Sequence, residues 1–281
     1  MYKIALFLYF ICQASGFSQH ATWLASFEDA QKVAIATDKL ILVDFYASWC
    51  GPCIQMDREA FSDPEIAGIM DNYVLLRIDF DKQGDMRNKY GVNSIPYVFV
   101  TDGHGEVLDK QSGYSGKGRF KSMVEKYALN TGYFQKESIH YFQNRSYITA
   151  MRLAQKYTDY SLFIDKGIKR DFLRLAGIYL KHAGDLLDSK QENYQIMFQK
   201  IYLMELTADL YSQDLKKVRR NLGKIKEAEV DPMNRNIYYL LNYGLALGEN
   251  KQQELEMWEE KVVASGLSNA HFEKIKLLFD Q

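Results

Sequence analysis

The sequence predicts a mixed α/β domain followed by an all-α domain. Three observations carry this reading. Up to about residue 130, short apolar runs of strand length alternate with amphipathic stretches, the pattern of a sheet covered by helices. Beyond residue 135 no strand pattern appears and helical spacing recurs in one segment after another. No proline falls between Pro96 and Pro232, so nothing breaks those helices from within. A length of 281 residues suits two domains better than one.

Residues 22–37 place Leu24, Phe27, Ala30, Val33 and Ala34 at helical spacing and predict a helix. Leu40 to Tyr46 is short and almost wholly apolar, as a strand buried on both faces must be. A helix is expected from about Cys50 to Ala60. Asp63 and Pro64, a good N-cap and a good first helical residue, then restart it. Tyr73 to Phe80 predicts a second strand, and Met86 to Tyr90 a helical turn closed by Gly91. Pro96 to Thr101 and Glu106 to Gln111 predict two more strands around the turn Asp102-Gly103-His104-Gly105. Lys117 to Leu129 predicts a closing helix, with the domain boundary near Asn130-Thr131-Gly132, so that residues 19–131 form the first domain and 132–281 the second.

In the second domain helical spacing covers 147–157, 169–187, 192–212, 214–228, 233–248, 251–265 and 269–280. Short polar breaks between them suit helical hairpins. Tyr239 to Val263 resembles one tetratricopeptide-like hairpin, but no 34-residue period extends upstream, so a hairpin array and an irregular bundle both stay open. Tyr238 and Tyr239 read as core, and Lys216, Lys217, Arg219 and Arg220 as a solvated face.

The 35 basic and 36 acidic side chains balance, which gives no electrostatic case for a nucleic-acid partner. The N-terminus has the form of an export signal: Lys3, then the apolar run Ile4 to Ile11, then Ala14-Ser15-Gly16, with cleavage after Gly16 or Ser18 equally suitable. The run is too short to span a bilayer. The expectation is a signal peptide over 1–18, a periplasmic or secreted product and no stable membrane insertion after cleavage. Of Cys12, Cys50 and Cys53, cleavage would leave only the last two.

Their setting is Trp49-Cys50-Gly51-Pro52-Cys53. Cysteine-built zinc sites need two such pairs or spaced histidines. His20, His104, His140, His182 and His271 are scattered, read as surface or loop residues, and predict no metal site. A redox pair fits better. Cys50 follows a buried strand and opens a helix, where unpaired N–H groups stabilise a thiolate, the nucleophilic form. Cys53, one turn on, can attack a mixed disulfide formed at Cys50. Pro52 fixes the first turn, and Trp49 can shield the sulfurs.

These residues resemble the thioredoxin family over roughly residues 22–129. The resemblance implies a thioredoxin fold and thiol–disulfide oxidoreductase activity with no cofactor beyond the Cys50–Cys53 disulfide. It implies that Asp44 is a buried carboxylate that helps Cys53 lose its proton. Burial would raise its pKa towards general-base range, although a strand-end aspartate with an ordinary partner stays open. It also implies that Ile95-Pro96 is a cis pair, with Ile95 offering its backbone to a substrate strand, and that Gly113 lets a partner approach. Trp49, Gly51 and Pro52 complete the substrate-binding set. The pattern departs at Ile54 and at Leu75, where family members often carry lysine, and Arg77 could replace the second or face solvent. Glu59 to Pro64 is more similar to exported reductases of this fold.

The expected function is thus an exported oxidoreductase that reduces or isomerises protein disulfides. Its partners are exported protein thiols and disulfides and an upstream electron donor such as a membrane reductase. A second class also stays open: a helical interaction protein that uses the first domain as scaffold or redox sensor.

Overall fold

A computed structural model describes residues 22–279; the expected signal segment and Cys12 lie outside the described residues. Four strands form one sheet in the order β2-β1-β3-β4: β1 (Leu40–Tyr46), β2 (Tyr73–Asp79), β3 (Tyr97–Thr101) and β4 (Val107–Ser112). β1 and β2 are parallel, whereas β3 is antiparallel to both β1 and β4. Side chains alternate across the sheet. Ile41, Val43 and Phe45 of β1 pack with Val74, Leu76, Ile78 and Phe99 beneath α1 (Phe27–Thr37). Leu40 and Leu42 face the other way, onto Met56 of α2 (Gly51–Met56), Ile66 of α3 (Pro64–Met70) and Phe120 of α5 (Lys117–Lys126). The short α4 (Gly84–Lys89) lies between β2 and β3. Asp63 caps α3 as expected, accepting the N–H groups of Glu65 and Ile66.

The first predicted helix begins late. Ser26 is its N-cap, and Leu24 instead bridges to β2: its N–H donates to Leu75 and its carbonyl accepts from Arg77, both at 2.8 Å. The expected helix 117–129 stops at Lys126, and the helix from Cys50 continues beyond α2 as a wider π-type turn, Asp57–Phe61.

The described residues beyond the sheet domain are mainly helical: α6 (Gln135–Gln143), α7 (Tyr147–Tyr160), α8 (Lys166–Leu186), α9 (Tyr194–Tyr211), α10 (Leu215–Leu222), α11 (Arg235–Gly248), α12 (Gln252–Ala264) and α13 (Asn269–Lys276). α6 was not expected. The predicted helix over 214–228 closes at Gly223 and gives way to a single 3-10 turn, 227–229. α11 and α12 form the hairpin anticipated at 239–263, with Asn250 in the left-handed conformation at its turn. At Gly244 an added Cβ would lie 2.6 Å from a terminal methyl of Leu210, so a larger residue there would make the α9 side chain give way. Tyr238 is buried, as expected. Arg219 of the basic run is ion-paired with Glu249 and with Glu254, 2.9 Å away.

One hydrophobic core runs through both parts, joining Leu108, Phe120 and Tyr127 to Phe134, Tyr157, Phe172 and Tyr179. At its centre is Asp102, fully buried in the β3–β4 turn. Its Oδ1 accepts the N–H groups of His104 and Glu106, both at 2.9 Å, as an aspartate does in a tight turn. Its Oδ2 accepts the hydroxyls of Tyr157 (2.9 Å) and Tyr179 (2.5 Å) from α7 and α8. The carboxylate is thus shared between the two parts. His104 lies in the turn, as a loop residue was expected to, but it is buried there, 2.9 Å from Ser138 and edge-on to Tyr141, and that burial lowers its pKa. Arg174 of α8 donates to the carbonyls of Val107 and Leu108, both at 2.8 Å, and covers the start of the β4 edge. In the β1–β3 register Thr101 pairs with Ile41. The Asp102 turn therefore sits at the start of β1, and the helical part grips the sheet at the end remote from Cys50.

Candidate functional site

The site lies where β1 ends. Ala47 follows the strand and Cys50 is the N-cap of α2, so the end of a buried strand delivers the cysteine to a helix start. Cys50 and Cys53 form a disulfide, both sulfurs almost wholly buried, and Cys50 Sγ accepts the Cys53 N–H at 3.2 Å. That contact and the free N–H groups of the first turn favour negative charge on the Cys50 sulfur once the bond opens. Gly51 and Pro52 are exposed between the cysteines. Trp49 is 65 % exposed beside them and held by its indole N–H, which donates to Asp81 Oδ2 at 2.7 Å. Ile54 is also exposed, so the surface around the disulfide is apolar where a lysine would have made it cationic.

Ile95 packs against Ala47 and the cysteines together with Tyr46. The Ile95–Pro96 peptide is cis. Pro96 is buried, and its carbonyl accepts the N–H of Gly113 at 2.8 Å. Gly113 has φ +74°, which requires glycine there, and open space where a side chain would stand. The structure thus brings Cys50, Cys53, Ile95, Pro96 and Gly113 together, with Trp49 at the rim.

Asp44 is 1 % exposed and shares the sheet face of Leu40 and Leu42, the face covered by the active-site helix. Among the described residues neither carboxyl oxygen has a hydrogen-bond partner. Arg77 is its cation: the parallel register sets the two residues side by side, and Arg77 Nε stands 3.1 Å from Asp44 Oδ2, though its N–H is not aimed at the oxygen. Burial pushes the carboxyl up to about 7; Arg77 opposes that rise and the charge of Asp57 adds to it. Arg77 therefore faces inward rather than to solvent, in the role that Leu75 cannot fill. Its other arm reaches Asp57 Oδ1 at 2.6 Å, and its guanidinium stacks 4.1 Å from the Tyr46 ring. Asp57, Asp81 and Tyr46 were not among the site residues expected from sequence. Only Asp57 stood where a signal could have been found, one turn beyond Cys53 in the expected helix.

A buried Cys-x-x-Cys disulfide at a helix start on this sheet, with a buried carboxyl in the preceding strand, defines a thiol–disulfide oxidoreductase of thioredoxin fold. Comparison with known proteins agrees. The family profile described as a thioredoxin-like domain matches residues 27–128. The chain is 29 % identical over 107 residues to a thioredoxin of Chlorobaculum thiosulfatiphilum, over 37 % of this chain and 93 % of that protein. It is 33 % identical over 92 residues to a thioredoxin of Mycoplasmoides gallisepticum, over 32 % of this chain and 87 % of that one. It is 31 % identical over 120 residues to the thiol:disulfide interchange protein DsbD of Colwellia psychrerythraea, over 38 % of this chain but only 20 % of that protein. The chain belongs to the thioredoxin family. The profile ends at residue 128, before α6 begins.

Proposed function

We propose that this protein is exported and uses the Cys50/Cys53 dithiol to reduce or isomerise disulfides of other exported proteins. In the reducing direction the Cys50 thiolate attacks a substrate disulfide. A bond forms between Cys50 and one substrate sulfur, and the other leaves as a thiolate. Asp44 accepts the Cys53 proton. The Cys53 thiolate then attacks Cys50 Sγ, the mixed disulfide breaks, and the second substrate sulfur departs. Two electrons have passed to the substrate, and the pair ends in the disulfide seen here. Trp49, Gly51, Pro52, Ile95 and Gly113 border the incoming strand, and Ile95 offers it backbone hydrogen bonds.

The single observation that carries this reading is the carboxyl of Asp44, sealed inside the strand that leads to Cys50 and raised in pKa by that burial. A scaffold or simple sensor has no use for such a group, which is costly to bury. The Gly51-Pro52 pair supports the reducing or isomerising direction. The signal-like N-terminus supports export, and similarity to part of a thiol:disulfide interchange protein supports disulfide exchange with other proteins; a membrane reductase is the electron donor this proposal requires.

Equilibration of the full chain with glutathione tests the direction. A potential near that of thioredoxin, roughly −270 mV, is expected, and one near roughly −120 mV, the range of strong oxidants, would overturn it. A Cys53→Ala variant should hold several exported proteins as mixed disulfides. Capture of one partner, unchanged when both cysteines are replaced by serine, would show a binding module instead.

A further inference from the structure

We propose that Arg77 and Asp57 together form a positioning device that sets the proton affinity of Asp44 and ties it to the helix carrying Cys53. The inference rests on the role proposed above for Asp44, and it concerns groups outside the cysteine motif.

The geometry is a chain of three charges. Asp44 Oδ2 is 3.1 Å from Arg77 Nε, and a terminal nitrogen of the same guanidinium is 2.6 Å from Asp57 Oδ1. One planar cation therefore serves two carboxylates through two of its nitrogens, Nε and Nη2, which a lysine ammonium cannot do with the same constraint. Stacking on Tyr46 at 4.1 Å fixes the plane of the guanidinium, and Trp23 and Phe61 flank it at 5.6 and 5.8 Å. Tyr46 in turn packs on the cysteine cluster. The Asp57 backbone N–H donates to the carbonyl of Cys53, so the outer carboxylate is anchored to the resolving cysteine by the helix itself.

Arg77 from β2 and Asp57 from the active-site helix are the charged groups that act on Asp44; from β3 the residue opposite is Val98. The two act in opposite senses. The cation favours the Asp44 carboxylate, and Asp57 disfavours it both by repulsion and by drawing the guanidinium to itself. Asp57 is 40 % exposed, whereas Asp44 is sealed.

Titration of the Asp44 carboxyl carbon by NMR in the oxidised full chain reads this directly, and the pH profile of protein-disulfide reduction reads it a second way. Arg77→Leu should raise the Asp44 midpoint by at least one pH unit, about a tenfold change in proton affinity. Asp57→Asn should lower it, and Arg77→Lys should recover most of the Arg77→Leu shift. Opposite signs for the two charge removals support the device. No shift in either variant, or shifts of the same sign, overturns it. If Arg77→Leu does not fold, Asp57→Asn alone decides by the direction of its shift. A wild-type chain that reduces no protein disulfide refutes the proposed direction of electron flow without touching the NMR result; an active reductase whose Asp44 midpoint is unmoved refutes this inference alone.

Discussion

Replacing Asp44 by asparagine should make the oxidised protein more stable at alkaline pH and change little at acid pH. The folded carboxyl titrates at about 7, against an ordinary value of 3.8. The folded chain therefore holds this proton more tightly than the unfolded chain. Below about pH 4 the group is protonated in both states. Between about 4 and 7 stability falls as pH rises, because the unfolded state gives up its proton first, and above 7 the whole penalty is present. A difference of about three pH units corresponds to about 4 kcal/mol. Asparagine does not titrate, so the wild-type and variant stability curves should diverge by that amount between pH 4 and pH 9. Urea unfolding across this range, with the disulfide intact, measures the divergence from midpoints and slopes. Comparing the two proteins at each pH cancels the titrating groups that are distant from Asp44. Curves that stay parallel within about 1 kcal/mol would refute the reasoning and place the Asp44 midpoint near its ordinary value.

Two further outcomes follow from the packing. Asp102→Asn replaces an acceptor of four hydrogen bonds by a group that can satisfy only one side of them, at a cost of about 2–4 kcal/mol; thermal unfolding should show a lower midpoint and separate transitions for the α/β and helical parts in place of one. Gly244→Ala forces a methyl to within 2.6 Å of Leu210, and should lower stability to urea by about 1–3 kcal/mol while leaving the potential of the cysteine pair unchanged.

Much of this molecule was legible in the sequence because its strongest signals are local. β1 occupies the bounds expected from its unbroken apolar run, and Asp63-Pro64 starts α3 by the chemistry of those two residues alone. What escaped depends on partners far along the chain. Leu24 sits at helical spacing from Phe27, yet hydrogen bonds to Leu75 and Arg77 hold it as a strand bridge. α6 buries only Ser138 and Tyr141 and shows too little apolar periodicity to be seen. Asp102 was read as a turn residue, which one of its oxygens is; the other answers to tyrosines 55 and 77 residues away. Arg77 could be drawn inward or outward until the register set it opposite Asp44, because a parallel pairing leaves no mark on either strand alone.

The two rims of the sheet carry a last consequence. A row of unpaired amides invites any extended chain to join it. Here Leu24 occupies the middle of the β2 rim, and the Arg174 guanidinium caps the first carbonyls of the β4 rim. A foreign strand would meet an obstacle on either side. A protein whose proposed work is on the disulfides of other chains thereby keeps much of its sheet rim away from them, while the short open backbone at Ile95 stays within their reach.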